Sequence, residues 1–206
     1  MQRTPGAFGR QTPPLADTPQ PWNRDAMALA ARLKVGETLG DRVMKVDHAG
    51  EHGAICVYSV QRWFARWRAP DMVAELDEFL AHERGHRAQF LAELERRGRR
   101  RCRSYFLCAV GGIALGIATG LAGRHAIAAT TVAIERVVLR HMQEQLRALD
   151  GADQEAADTL RAIIVDEQDH HDRSVARIGQ DGVWPKLIDP VVTFSTEAVI
   201  WLGMRL

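Results

Sequence analysis

The chain is poor in cysteine: Cys56, Cys102 and Cys108 are odd in number and form no Cys-x-x-Cys pair. That excludes a disulfide framework or a zinc ribbon as the organising device and fits a reducing compartment. An excess of one charge is lacking too. Lys and Arg number 27 against 26 Asp and Glu, a net +1, so no global field draws the chain to nucleic acid or to acidic partners. Strand signals are missing, with no alternating apolar–polar run of useful length and no Asn-Gly or Asp-Gly between β-branched runs. The glycines of 111–123 do not form a Gly-x-Gly-x-x-Gly turn after a strand, so no nucleotide site of the Rossmann type is visible. Residues 1–25 carry Pro5, Pro13, Pro14, Pro19 and Pro21 but no apolar stretch of the secretory kind. They are expected to be a disordered tail.

What is present is helical. Length (206 residues) and apolar content (46%) support one domain, 26–206, with a real core. From about residue 26 the chain is rich in Ala, Leu, Arg, Glu and Val, which form helices or suit helical cores. Breaks fall at Arg68–Asp71, where Asp71 is placed to cap the following helix, and at Gly98, Asp150–Asp153 and Gly179–Gly182. The expected helices are 36–67, 71–97, 104–122, 125–149, 153–178 and 186–204, with a short one near 25–34. The fold class is all-α.

Among the glutamates only Glu83 and Glu167 have a histidine three places on, His86 and His170. Side chains at i and i+3 share a helix face one turn apart, so each pair offers a carboxylate and an imidazole to one small volume. A single such pair is more often a surface pair than a metal site. The spacing says more. Glu51 precedes Glu83, and Glu135 precedes Glu167, by the same interval (51 to 83 and 135 to 167, 32 residues each). On one straight helix that interval spans about 48 Å, so the chain must fold back near residues 67 and 151, where the Pro70 and Gly151 breaks lie. Two antiparallel hairpins then each set a lone Glu opposite a Glu-x-x-His. Docked together they give the ligand set of a di-iron carboxylate, ferritin-like four-helix bundle.

Apolar stripes agree. Met72, Leu76, Phe79, Phe90 and Leu94 share a face with Glu83 and His86. Val132, Leu139, Met142 and Leu146 accompany Glu135, and Leu160, Ile163 and Ile178 accompany Glu167 and His170, with Ser174 interrupting. The first helix is the poorest case, because Asp47 joins Met44, Ile55 and Tyr58 beside Glu51. Uncompensated carboxylates in a core cost several kcal/mol each. Two divalent cations neutralise four of them, and six O and N ligands leave open positions suited to Fe or Mn and to chemistry with O₂. Asp47, Asp166, His141 and His171 adjoin the six, either as supports or as solvated surface groups.

These residues resemble the demethoxyubiquinone hydroxylase (Coq7-type) family from about Leu39 onward. The match rests on Asp47-His48-Ala49-Gly50-Glu51, Glu83-Arg84-Gly85-His86, Gly116-Ile117-Ala118-Thr119, Thr131-Val132-Ala133-Ile134-Glu135 and Asp166-Glu167-Gln168-Asp169-His170-His171-Asp172. The resemblance implies O₂-dependent hydroxylation of a polyprenyl benzoquinol ring by two Fe ions late in ubiquinone biosynthesis. The family's iron ligands fall on Glu51, Glu83, His86, Glu135, Glu167 and His170. It further implies an enzyme resting peripherally on a membrane: the cytoplasmic face of a bacterial inner membrane, or the matrix face of the mitochondrial one. NADH is a reductant to consider, acting through the quinol, and self-association and partner proteins of quinone biosynthesis stay open. His52 stands where the family often has tyrosine, Arg136 where it has a second glutamate, and Met142 where a tyrosine follows His141; none of these removes a ligand.

Residues 105–123 are 19 without a charge, a borderline transmembrane length. A single span would place Glu51 and Glu83 across the bilayer from Glu135 and Glu167, so an interfacial or dimer-packing helix is expected instead. Gly112, Gly116 and Gly120 share one face and permit close helix contact. Arg96, Arg97, Arg99, Arg100, Arg101 and Arg103 precede the segment as a basic patch for anionic headgroups, or else as a solvated run. The last helix, with Phe194, Val199, Ile200 and Trp201, extends the apolar surface, and Trp201 suits a headgroup boundary or a core equally.

The rival readings are a ferroxidase of the ferritin type, another di-iron hydroxylase such as a tRNA hydroxylase, and a metal-free membrane scaffold. A rubrerythrin-like peroxidase is disfavoured for want of rubredoxin cysteines.

Overall fold

The computed structural model describes residues 31–178 and 182–206. The 1–25 segment lies outside them, as does most of the expected 25–34 helix. The described remainder of that stretch, 31–34, is turn and coil. Six α-helices follow: α1 Leu39–Arg68, α2 Val73–Arg96, α3 Tyr105–Ala122, α4 Arg124–Leu149, α5 Gln154–Arg177 and α6 Val183–Gly203.

Their ends follow local chemistry. Thr38 and Asp41 form a reciprocal capping box at the start of α1: Asp41 N donates to Thr38 Oγ1 (3.1 Å) and Thr38 N to Asp41 Oδ2 (3.0 Å). At the first fold-back, Pro70 opens a 3₁₀ turn, Pro70–Met72, and Met72 stands at the cap of α2 with no side-chain hydrogen bond. Asp71 therefore does not cap, contrary to expectation. Its carboxylate is drawn to Arg124 (2.6 Å) and Arg177 (3.7 Å), which lie within reach only once the hairpins dock. Gly98 (φ +62°) closes α2 in a Schellman turn, with Arg99 N bonded to Leu94 O and Gly98 N to Glu95 O. Asp153 caps α5 by accepting from Ala156 N.

The α1–α2 and α4–α5 hairpins are the four helices of the bundle. Their apolar core is in two parts. Tyr58, Leu76, Phe79, Ile127 and Ile134 fill one end, and Met44, Phe90, Leu94, Leu149, Leu160 and Ile163 the other. Glu51, Glu83, His86, Glu135, Glu167 and His170 are all buried, and along each helix they fall between the residues of these two clusters.

α3 lies parallel to α1 along the glycine face. A Cβ on Gly112 would sit 2.4 Å from Gly53 O, and one on Gly116 2.8 Å from Val57 O, so only glycine permits this approach. The opposite face of α3 is bare: Phe106, Leu107, Val110, Ile113, Ile117 and Leu121 are exposed. α6 packs on α4 through Ile188 and Val192 and exposes Leu187, Val191, Phe194 and Trp201. Trp201 thus sits at the surface, not in the core. α3 is long and apolar enough to cross a membrane by length and composition, yet its whole length is the outer wall of the bundle.

Candidate metal centre

Each hairpin delivers its residues as the spacing requires. The ligand-type atoms of Glu51, Glu83, His86 and Glu167 lie within 4.8 Å of one another, and so do those of Glu83, Glu135, Glu167 and His170. The two groups share Glu83 and Glu167. The structure therefore brings all six sequence-selected residues into one enclosed volume, as two overlapping tetrads.

The orientation of the imidazoles is decisive. His86 Nε2 meets Asp166 Oδ2 at 3.0 Å, and His170 Nε2 meets His82 Nδ1 at 3.0 Å. These outer contacts hold each ring by its far nitrogen. Both Nδ1 atoms then face the carboxylates, His86 Nδ1 at 3.0 Å from Glu167 Oε1 and His170 Nδ1 at 3.4 Å from Glu83 Oε1. None of these four inward atoms has a hydrogen-bond partner, although all are sealed from solvent. Buried polar atoms are rarely left so. Atoms that converge without bonding one another are what a cation-shaped space between them requires, and the O and N donor set fits iron or manganese.

Charge leads to the same point. Burial, then the Glu83 charge, pushes the Glu51 carboxyl well above its ordinary range, and burial with the Glu167 charge does so for Glu135. Glu167 is pushed up to about 8 by burial and by Glu83. Tyr58 OH, fully buried, donates to the Glu135 carboxylate. The cluster holds more negative charge than its surroundings solvate, so it takes up protons or cations.

Of the neighbours singled out beforehand, Asp166 supports a site residue directly. Asp47 accepts from Gln145 (3.0 Å), and burial pushes its pKa up to about 7. His141 faces Glu197 at 3.4 Å, and His171 turns to Asp172 at 3.0 Å, away from the cluster. Two contributors went unrecognised in the sequence. His82 supports His170 from across the hairpin interface, and its one signal was its place four residues before His86. Tyr58 was noted only as a stripe residue.

A cavity of about 190 Å³ reaches the cluster, with Glu51, Glu83, Glu135 and Glu167 among its lining. Its remaining walls are mostly apolar and come from α1, α3, α4 and α6, among them Leu107, Leu115, Val138 and Ile200. Met142 lines it too, whereas His52 stacks on Tyr105 (centroids 4.0 Å apart) and Arg136 is tied to Asp189 and Thr193 on α6.

Comparison with known proteins adds the following. Residues 38–203 match the family model of the ubiquinone biosynthesis protein COQ7. A relative from Dictyostelium discoideum named NADPH-dependent 3-demethoxyubiquinone 3-hydroxylase, mitochondrial, is 29% identical, covering 88% of this chain and 84% of its own. A Rhodospirillum rubrum relative named 3-demethoxyubiquinol 3-hydroxylase is 30% identical over 80% of this chain and 77% of its own. A Homo sapiens relative, with the same name as the first, is 28% identical over 81% and 77%.

Proposed function

This chain belongs to the COQ7 family of ubiquinone biosynthesis proteins, and on that premise we propose that it hydroxylates the ring of a demethoxyubiquinol with two iron ions. Glu51, Glu83, His86, Glu135, Glu167 and His170 would hold those ions, Glu83 and Glu167 being common to both tetrads. The observation that carries the reading is the set of four inward atoms without hydrogen-bond partners, on His86, His170, Glu83 and Glu167, with both of these glutamates lining an apolar cavity. Bound iron supplies the redox chemistry with O₂. The chain's own part is positional: Asp166 and His82 hold the rings, and apolar walls keep bulk water from the reacting ring.

The substrate class follows from the walls. A polyprenyl tail is insoluble in water, so the ring must reach the cluster without the tail leaving lipid. The cavity is walled by α3 and α6, the two helices whose outward faces are bare and apolar. An enzyme lying on an inner membrane by these faces receives the ring directly. Two of these relatives are named NADPH-dependent, and for the present chain we take NADPH as the reductant in place of NADH.

The test is direct. Iron-loaded protein given a demethoxyquinol, NADPH and O₂ is expected to yield a quinol heavier by one oxygen, read by mass spectrometry, with the label carried over from ¹⁸O₂. No labelled product from protein holding two irons per chain would reject the assignment.

A further inference from the structure

The arginine run before α3 is not one patch. Arg96 pairs with Glu93, Arg97 with Asp153 (2.6 Å) and Arg99 with Asp41 (2.8 Å). These three belong to the fold. Arg100, Arg101 and Arg103 instead line a second cavity of about 360 Å³, together with Lys34, Arg42, Lys45, Cys102 and Leu206. Six cationic side chains thus share one concave wall, and among the described residues no Asp or Glu side chain lies on it.

Neutralisation from behind is incomplete. Glu37 takes both Arg42 (Nη2, 2.6 Å) and Lys45 (Nζ, 2.5 Å), and those two cations hold its carboxyl down at about 2 against the effect of burial. One carboxylate thus answers two cations. Arg42 is the most buried of the six: its side chain is 2% exposed, with Nη2 on Glu37 and Nη1 donating to Gly203 O (3.0 Å). Lys34, Arg100 and Arg103, at the rim, have no ion pair among the described residues. A concave wall of six cations, answered from behind by one carboxylate, calls for an anion with several acceptor oxygens.

Its place in the molecule selects the source of that anion. The cavity opens where α3 begins and α6 ends, beside the bare faces of both. Arg101 joins the two surfaces, its guanidinium 4.8 Å from the Tyr105 ring and 5.6 Å from that of the exposed Phe106. At the α6 end, Arg205 lies over the exposed Trp201 ring at 4.0 Å. Resting on the membrane reading given above, we propose that this cavity holds the phosphate of an anionic phospholipid, whose acyl chains lie on the apolar faces of α3 and α6.

The test uses the full chain in flotation with vesicles of phosphatidylcholine, alone or with phosphatidylglycerol. Arg100→Gln/Arg103→Gln removes two rim cations. Arg66→Gln/Arg84→Gln removes the same charge from exposed positions on α1 and α2. At about fivefold per cation at an anionic surface, the rim variant is expected to lose roughly 25-fold in affinity for anionic vesicles. It should keep its helix content and its binding to neutral vesicles, and the comparison variant should stay within about twofold of the parent. Equal losses in the two variants, or none in the rim variant, would overturn the site. A parent that binds neutral and anionic vesicles equally leaves the apolar face standing and rejects the pocket, whereas one that binds neither rejects both. NADPH or inorganic phosphate binding without vesicles, lost in the rim variant, would reassign the cavity to a soluble phosphate and reject the lipid.

Discussion

Two nitrogen atoms, His86 Nδ1 and His170 Nδ1, hold most of the chemical information in this structure. Each faces a carboxylate that it does not bond, while its ring is held from outside by Asp166 or His82. Both outer contacts set the ring angle, and at His86 the Asp166 carboxylate also favours the proton on Nε2, which leaves Nδ1 as the free donor. Asp166→Asn is accordingly expected to weaken iron binding about 10- to 100-fold, measured by competition with a chelator, while the helix content stays unchanged. Glu167→Ala removes a residue common to both tetrads and should leave well under two irons per chain by elemental analysis. Full occupancy in that variant would strike Glu167 from the ligand set. The six positions were legible because Glu-x-x-His and the 32-residue interval are local and repeated. His82 was not, because its partner is 88 residues away in sequence.

Among the elements, α3 has the least ambiguous sequence and the most conditional role. Nineteen uncharged residues describe a span, a buried core helix or an interfacial wall equally well. The glycine face sets how it packs, since Gly112 and Gly116 come closer to the α1 backbone than any Cβ allows. Gly112→Ala is expected to cost about 1–3 kcal/mol of stability as an overpacked contact, read from denaturant unfolding. The same change at Gly111, which meets nothing within 4 Å, should be close to neutral. The arginine run carries the complementary lesson. Its members look alike in sequence, but Asp41 and Asp153 reach into it only after folding and claim Arg97 and Arg99.

For the molecule as a whole, the cluster sets a conflict between stability and function. The carboxyls of Glu51, Glu135 and Glu167 have folded pKa values above the ordinary 4.5. Folding of the metal-free chain therefore takes up protons. The stability this brings is present in full below about pH 4.5 and is lost as pH rises through the folded values, about 8 for Glu167. Chelated protein should show a Tm that falls by several degrees between about pH 5 and 8, and iron, standing in for the protons, should abolish the fall. Calorimetry with and without metal checks this. A flat Tm in the chelated protein would mean that the carboxylates are solvated in solution. The proposed docking on lipid belongs to this scale as well: Phe194→Asp, on the bare face of α6, should reduce binding to neutral vesicles about tenfold or more with the fold intact.

The sequence by itself determined the six main helices, the two fold-back points and which six side chains meet between the hairpins, because periodicity, turn residues and i, i+3 spacing act over distances the chain cannot escape. Tertiary structure decided which atoms of those side chains face inward, which arginines remain free, and that the cavity and the apolar faces lie on the same helices. Each of these depends on residues scores of positions apart meeting across packed hairpins, and no local pattern encodes such meetings.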